Sequence, residues 1–264
     1  MEFFSRLEAK ALEFPGVMGV SVKDLTTEDE HHINGDERFL AASSIKIPIL
    51  IELFRKARTG AIDLNVRIPV LDDVKVGGTG VLKEFGDSTS HLAIGDLASL
   101  MITVSDNTAT NILIDRVGLN DVNALLDNMG LTTMRLLRKM QDSVASSQGR
   151  ENYATPREFM ILMDCLYARE GLDPWVCERT LEYLIKPKTT AINRLLPYDL
   201  RVASKYGNMR DSYCDIGIIY HPERPYILAV MTKQIPDDDI RKQRTINEIS
   251  KVSRMAYEHF DSPF

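Results

Sequence analysis

The chain has 264 residues, of which 44% are hydrophobic, which is enough apolar surface for one large domain or two intimate subdomains. A net charge of -6 and a pI near 5.5 argue against the basic face that a nucleic-acid-binding protein needs. Residues 1–16 lack the basic and apolar regions of a signal peptide, and no apolar run is long enough to cross a membrane, so the sequence predicts a cytoplasmic protein with no membrane partner.

The cysteines and histidines do not form a recognisable metal-binding pattern. Cys165, Cys177 and Cys214 are odd in number, and no two have the spacing of a metal or redox pair. The simplest interpretation is that all three are reduced and buried. We therefore expect no metal and no cofactor.

The predicted elements change character twice along the chain. The first part reads as a helix and two strands, at residues 2–12, 17–22 and 31–39. The middle reads as helices, at residues 45–54, 97–104, 108–117, 121–129, about 155–169 and 178–185. The last part reads as three strands and a helix, at residues 200–205, 215–220, 226–233 and 240–260.

This order predicts a mixed α/β (α+β) fold. The simplest packing joins the strands of both chain ends into one antiparallel five-stranded sheet flanked by the terminal helices, which assigns residues 1–40 and 200–264 to one α/β subdomain. Residues 41–199 then form an all-helical subdomain. Within it, residues 155–158 (TPRE) form a capping box with proline at the first helical position.

Three short motifs occur in order, at residues 43–46 (SSIK), 105–107 (SDN) and 205–207 (KYG). Each motif alone is weak, because S-x-x-K is often a helix N-cap followed by a surface lysine, and S-D-N is often a turn or a cap. Together, in this order and on these elements, they predict a serine nucleophile with its helpers.

The spacing of Ser43 and Lys46 suits nucleophilic catalysis. A serine hydroxyl is a weak nucleophile until a neighbouring base takes its proton, and residues three apart on a helix share a face. Burial and the cation of Lys205 would lower the pKa of Lys46 from about 10.4, as a base requires. The nearby helix N-terminus would stabilise a developing anion at Ser43.

The chain resembles the class A β-lactamase and penicillin-binding-protein family over nearly its whole length. Besides the three motifs, the resemblance lies in residues 39–50 (FLAASSIKIPIL), 77–82 (GGTGVL), 94–107 (IGDLASLMITVSDN), 149–156 (GRENYATP) and 215–232 (DIGIIYHPERPYILAVMT). It implies a serine hydrolase that forms an acyl-enzyme on Ser43 and acts on a small-molecule β-lactam, amide or ester.

The resemblance also implies roles for the helpers. Ser105 would relay a proton to the leaving nitrogen, and Asn107 would hold Lys46 and the substrate amide. Lys205 would supply positive charge to Ser105 or to a substrate carboxylate. The backbone N–H groups of Ser43 and Asn208 would form the oxyanion hole.

Two positions depart from the family pattern. Tyr206 stands where the family has the small hydroxyl that binds a β-lactam carboxylate, so a large ring is expected beside Gly207 in the substrate site. In the loop after Arg138, Met140 or Gln141 occupies the place of the glutamate that activates the deacylating water. The nearest carboxylate is Asp142, which is therefore a candidate base, with Glu151 further on.

These departures keep two alternatives open: a non-lactam esterase or amidase, favoured by Tyr206, and a penicillin-binding or sensing module that acylates without efficient turnover, favoured by the missing glutamate. The physiological substrate and the oligomeric state do not follow from the sequence.

Overall fold

The computed structural model describes residues 2–86 and 90–262. Nine α-helices lie in these ranges: Glu2–Glu13 (α1), Lys46–Arg58 (α2), Ile94–Thr103 (α3), Asn107–Val117 (α4), Leu119–Asn128 (α5), Ser143–Ser147 (α6), Pro156–Ala168 (α7), Pro174–Ile185 (α8) and Arg241–Phe260 (α9). The strands described are Val17–Asp24 (β1), Glu30–Ile33 (β2), Phe39–Leu40 (β3), Arg67–Pro69 (β4), His91–Ala93 (β5), Tyr153–Ala154 (β6), Val202–Asn208 (β7), Tyr213–Ile219 (β8) and Tyr226–Lys233 (β9). Short 3₁₀ helices span Ala42–Ile45, Asp72–Val74 and Leu82–Glu84.

The main sheet has five antiparallel strands in the order β2-β1-β9-β8-β7. The two chain ends meet at its centre, where β1 pairs with β9 and Val20 lies opposite Val230. Every residue of β8 and nearly every residue of β1 and β9 is buried, as expected for strands covered on both faces. The predicted mixed fold with a five-stranded antiparallel sheet is confirmed.

The first of two compact units comprises residues 1–44, 153–168 and 189–264. Its apolar core joins α1, the sheet and α9 through side chains such as Leu7, Val20, Val252 and Phe260. Helix α7 contacts β1, β8 and β9. At its start, the Thr155 hydroxyl accepts a hydrogen bond from the N–H of Glu158, which is the N-cap half of the predicted capping box.

The second unit comprises residues 45–152 and 169–188. Helix α2 runs through its core, with residues 46–54 all buried, and contacts α3, α4, α5 and α8. Pro48 lies in the first turn of α2, where a missing N–H costs little. The sequence-based subdomain boundaries at residues 40/41 and 199/200 stay a prediction.

Several short elements differ from the predicted ones. The strand predicted at residues 31–39 is two strands, because the chain turns at Asn34 with φ +48° and then pairs β3 with β6. The region predicted as helical also contains β4 and β5, three-residue strands too short to show a hydrophobic period. The helix predicted from residue 45 is preceded by a 3₁₀ turn that starts at Ala42.

Candidate active site

Ser43 lies in the 3₁₀ turn before α2 and is partly exposed, whereas its neighbour Ser44 is fully buried. The Ser44 hydroxyl lies 3.3 Å from the carbonyl oxygen of Lys205, to which it donates, and 3.0 Å from the Cys214 sulfur. The Ser44 N–H donates to the carbonyl of Ala41. These contacts fix the backbone around Ser43 against strands β7 and β8.

Gly207 allows β7 to approach the backbone of Ser43 closely. A β-carbon at position 207 would lie 2.7 Å from the Ser43 nitrogen and 2.8 Å from the Cys214 sulfur, too close for any side chain. Cys214 is the cross-strand partner of Gly207 and also donates to the carbonyl of Ala41 at 3.2 Å. The structure therefore brings the Ser43 N–H to the strand that carries Gly207 and, as the next residue, Asn208.

Cys214 is a part of this region that sequence reasoning did not single out. It is 1% exposed, and burial raises the pKa of its thiol to about 11, so the sulfur stays protonated at neutral pH. The three cysteines are thiols rather than disulfides, with Cys177 also buried and Cys165 partly buried.

Lys205 and Tyr206 are adjacent on β7. Lys205 is fully buried, its Nζ donates to the Tyr206 carbonyl at 2.8 Å, and it lies 4.5 Å from the centre of the Tyr206 ring. The ring itself packs against the apolar core of the first unit and is stacked at 6.1 Å on Tyr213. Burial, with Asp215 nearby, raises the pKa of the Tyr206 phenol. A role for Tyr206 in substrate binding stays a prediction.

Three of the predicted helpers come together in the second unit. Lys46 is fully buried, and its Nζ donates to the carbonyl of Ser105 at 2.8 Å, to the Ser105 hydroxyl at 3.0 Å and to Asn107 Oδ1 at 3.0 Å. Ser105 has φ +54°, a conformation that costs a non-glycine residue on the order of 1–3 kcal/mol. The backbone is thus strained at the residue that holds the lysine.

Asp106 fixes the S-D-N segment through backbone hydrogen bonds. Its carboxylate accepts from the N–H of Ala109 at 2.9 Å as the N-cap of α4, and from Val81 and Leu82 at 2.6 and 2.9 Å. The Thr79 hydroxyl donates to the Ser105 carbonyl at 2.8 Å. Asp106 and Thr79 are positioning residues, of which only the cap was suggested by the sequence.

The loop after Arg138 is held at both ends. Arg138 forms an ion pair with Glu151 at 2.7 Å. The side-chain amide of Asn111 accepts a hydrogen bond from the Met140 N–H at 2.8 Å and donates one to the Met140 carbonyl at 3.0 Å. The Asp142 carboxylate accepts from the N–H of Ala145 at 2.9 Å and so caps α6. The two carboxylates thus have structural partners, and a catalytic role for Asp142 stays a prediction.

Within residues 2–86 and 90–262, no three His, Cys, Asp or Glu side chains are grouped so that they could hold a metal ion. No helix in the same ranges is both long and apolar enough to span a membrane.

The fold and these side chains define the class of the protein as a β-lactamase-like serine hydrolase. A family model described as the beta-lactamase enzyme family matches residues 2–260, and the chain belongs to that family. The resemblance inferred from the motifs is therefore confirmed.

Comparisons with individual proteins agree with this family assignment. The chain is 25% identical to β-lactamase SME-1 of Serratia marcescens over 92% of this chain and 85% of that protein. The crystal structure of a β-lactamase from Sphaerobacter thermophilus is 31% identical, with a TM-score of 0.87 over 98% of this chain and 97% of that one. A PBP-A mutant, solved as an acyl-enzyme complex with penicillin G, is 28% identical, with a TM-score of 0.86 over 98% and 96% of the two chains.

Proposed function

We propose that this chain hydrolyses a β-lactam, amide or ester through an acyl-enzyme on Ser43. The observation that supports this most directly is the environment of Lys46, three positions after Ser43. Its Nζ is fully buried and bonded to both Ser105 and Asn107. A buried lysine held between a hydroxyl and an amide oxygen is placed for proton transfer rather than for solubility.

In the acylation step, Lys46 must be the neutral amine, which has two N–H donors and so gives up one of the three hydrogen bonds described above. Its free lone pair then takes the Ser43 proton while the Ser43 oxygen attacks the carbonyl carbon. The N–H groups of Ser43 and Asn208 stabilise the oxyanion, which agrees with the close approach of Gly207 to the Ser43 nitrogen. When the C–N bond breaks, the leaving nitrogen takes its proton through Ser105 from Lys46. Lys205 supplies positive charge to a substrate carboxylate or to Ser105.

Hydrolysis of the ester is proposed to be the slow step. It needs a base aimed at a water molecule, and neither Met140 nor Gln141, one of which occupies the place of the glutamate, has a side chain that can take a proton. Asp142 is the candidate base, but its Oδ1 already accepts the capping hydrogen bond from Ala145. A misplacement of about 1 Å can cost roughly a hundredfold in rate, so we expect a long-lived β-lactam adduct.

Mixing the protein rapidly with a chromogenic cephalosporin tests this proposal. We expect a burst of about one equivalent of product, because each molecule acylates once, followed by a slow phase set by deacylation. Rapid linear turnover without a burst would contradict slow deacylation. Absence of any reaction would contradict the β-lactam substrate.

A second candidate function is a penicillin-binding or sensing module, favoured by the missing glutamate in the loop after Arg138. A third is an esterase, favoured by Tyr206 in place of a small hydroxyl. A panel of short-chain esters, assayed beside the cephalosporin, distinguishes these candidates. A binding or sensing module turns over neither the esters nor the cephalosporin, whereas an esterase turns over the esters. A cytoplasmic location and the absence of nucleic-acid and membrane partners stay predictions.

A further inference from the structure

Lys186 directly follows helix α8, and its side chain lies against α3 in the second unit. Its Nζ donates to the Ser99 hydroxyl at 2.6 Å, and Ser99 donates in turn to the carbonyl of Gly95 at 3.2 Å. The same Nζ lies 4.0 Å from the centre of the Tyr183 ring. A short hydrogen bond and an aromatic ring together fix the position of this amine, which remains partly exposed.

The partners of Lys186 differ from those of most other lysines of the chain. Within residues 2–86 and 90–262, Lys186 forms no ion pair with a carboxylate. Ion pairs with aspartate or glutamate hold Lys10, Lys23, Lys56, Lys75, Lys83, Lys139, Lys233 and Lys251. A carboxylate stabilises the charged form of a lysine, which is not a nucleophile, whereas a hydroxyl also accepts a hydrogen bond from the neutral amine.

The charges around Lys186 favour the neutral amine. Burial lowers the pKa of Lys186 from the ordinary 10.5, and the cation of Arg179 lowers this pKa further. Asp96 and Glu182 act in the opposite direction with smaller effects. Lys188, whose Nζ donates to the Lys186 carbonyl at 3.1 Å, is a further cation beside the site. At neutral pH, a larger fraction of Lys186 is therefore uncharged than of an ordinary lysine.

Arg179 supplies a group that binds anions beside the amine. Its guanidinium lies over the same Tyr183 ring, 5.7 Å from the ring centre, and forms an ion pair with Glu182. The side chain is 34% exposed and carries five N–H donors, so the ion pair leaves donors for an incoming anion. A guanidinium binds the oxygens of a phosphate in a bidentate geometry.

We propose that Lys186 is a site of covalent acylation by small anionic acyl donors of the acyl phosphate class. The neutral amine donates one of its two N–H groups to Ser99, and its lone pair attacks the acyl carbonyl carbon. The N–C bond of an amide forms, the C–O bond to the phosphate breaks, the phosphate leaves, and the amine proton passes to water. Arg179 binds the phosphate of the donor. The inference does not use Ser43 and is independent of the proposed function.

Acetyl phosphate is the probe, and peptide mass spectrometry gives the acetylation rate of each lysine. At pH 7.5 we expect Lys186 to react at least about threefold faster than Lys242, an exposed lysine of α9. Exposure alone predicts the reverse order, because Lys186 is the less exposed of the two. The advantage of Lys186 should shrink as the pH approaches 10.5, where ordinary lysines also lose their proton.

Arg179→Met tests the recognition of the phosphate. With acetyl phosphate, we expect the rate at Lys186, relative to Lys242 in the same molecules, to fall at least about threefold. The fall should be smaller with p-nitrophenyl acetate, which has no phosphate. The matched control is Arg254→Met, because Arg254 also pairs with a glutamate and lies over a tyrosine ring. This control should leave the ratio unchanged, and thermal unfolding shows that both variants fold.

Three results would overturn the proposal. Lys186 reacting no faster than Lys242 at pH 7.5 in the wild-type protein would show that the amine is not activated. Equal losses with both donors in Arg179→Met would show that the site does not recognise a phosphate. Loss of Lys186 acetylation in Ser43→Ala would show that the acyl group arrives through Ser43 rather than by direct attack.

Discussion

At the scale of single residues, the proposed acylation depends most on Lys46. It is buried in the second unit, and its bonds to Ser105 and Asn107 join two of the three motifs recognised in the sequence. The Ser105 hydroxyl that accepts from Lys46 is also the group proposed to deliver a proton to the leaving nitrogen. The hydrogen bond between Lys46 and Ser105 therefore connects the proposed base of acylation to the group proposed to protonate the leaving nitrogen.

Replacing Lys46 tests its role as the base. Lys46→Met keeps an unbranched side chain in the same space but cannot take a proton, so acylation should slow by roughly two to four powers of ten. Stopped-flow measurement of the cephalosporin burst gives the rate, and Lys242→Met, at an exposed lysine of α9, is the control. Acylation at the wild-type rate in Lys46→Met would place the base elsewhere.

Cys214 makes the stability depend on pH in a defined direction. Burial raises the pKa of its thiol from the ordinary 9.0 to about 11, so the thiol ionises at a lower pH in the unfolded chain than in the folded one. Its contribution to stability is complete below pH 9 and is lost as the pH rises from 9 to 11.

Urea unfolding of wild type and Cys214→Ala at pH 8 and pH 10.5 measures this effect. Between the two pH values the wild type should lose about 2 kcal/mol more unfolding free energy than the variant, which has no thiol to ionise. Taking the difference between the two proteins removes the contributions of Tyr213 and other groups. Equal losses in both proteins would show that Cys214 does not ionise differently on folding.

At the scale of elements, the loop between Arg138 and Glu151 is the part of the chain that we propose sets the lifetime of an acyl-enzyme on Ser43. Asn111 fixes the peptide groups of Met140, and the Met140 side chain is 8% exposed. The loop thus has the anchoring that a catalytic residue needs, but at Met140 it carries a thioether.

Met140→Glu supplies a carboxylate at this anchored position. We expect the slow phase after the cephalosporin burst to become at least about tenfold faster, because an ionised carboxylate can take a proton from the attacking water. The burst rate itself should change little. Met140→Gln, which has the same shape without a base, is the matched control and should keep the slow phase slow.

A second variant of this loop, Asp142→Asn, separates the capping role of Asp142 from its proposed role as a base. Asp142→Asn still caps α6, because asparagine is as good an N-cap as aspartate, but it cannot act as a base. If wild-type deacylation becomes slower still in Asp142→Asn, Asp142 contributes to it. An unchanged slow phase in Asp142→Asn, together with no gain in Met140→Glu, would contradict the account of the loop.

Regular elements were predictable because their signals are local. Helix α7 with its Thr155 cap, the buried helix α2 and the strands β1, β8 and β9 all follow from hydrophobic spacing and capping residues. The order of strands in the sheet and the short β3, β4, β5 and β6 depend on pairing between distant residues. A local pattern does not carry that information.

The candidate site likewise has residues that the sequence predicts and contacts that it does not. The three motifs predict Ser43, Lys46 and Ser105 as catalytic residues, because the proposed chemistry fixes residue types at short spacing. The contact between Ser44 and Cys214 joins residues 170 positions apart, and that between Asn111 and Met140 joins residues 29 apart. Side-chain partners of this kind appear only when the chain is folded.

At the scale of the whole molecule, membership of the beta-lactamase enzyme family and the five-stranded sheet place this chain among β-lactamase-like serine hydrolases. Both chain ends contribute to that sheet, since β1 and β9 are neighbours and α1 and α9 share its apolar core. The fold therefore requires nearly the entire chain, although the proposed chemistry uses few residues.

The most direct test of the central claim is the intact mass of the protein after incubation with benzylpenicillin. We predict one added mass equal to the whole penicillin, mapping to the peptide that contains Ser43, because ring opening leaves both halves attached to the serine ester. Ser43→Ala should show no adduct, and Ser147→Ala, at an exposed serine of α6, should show the wild-type one. An adduct that persists in Ser43→Ala, or a wild-type protein that never gains the mass, would contradict the account.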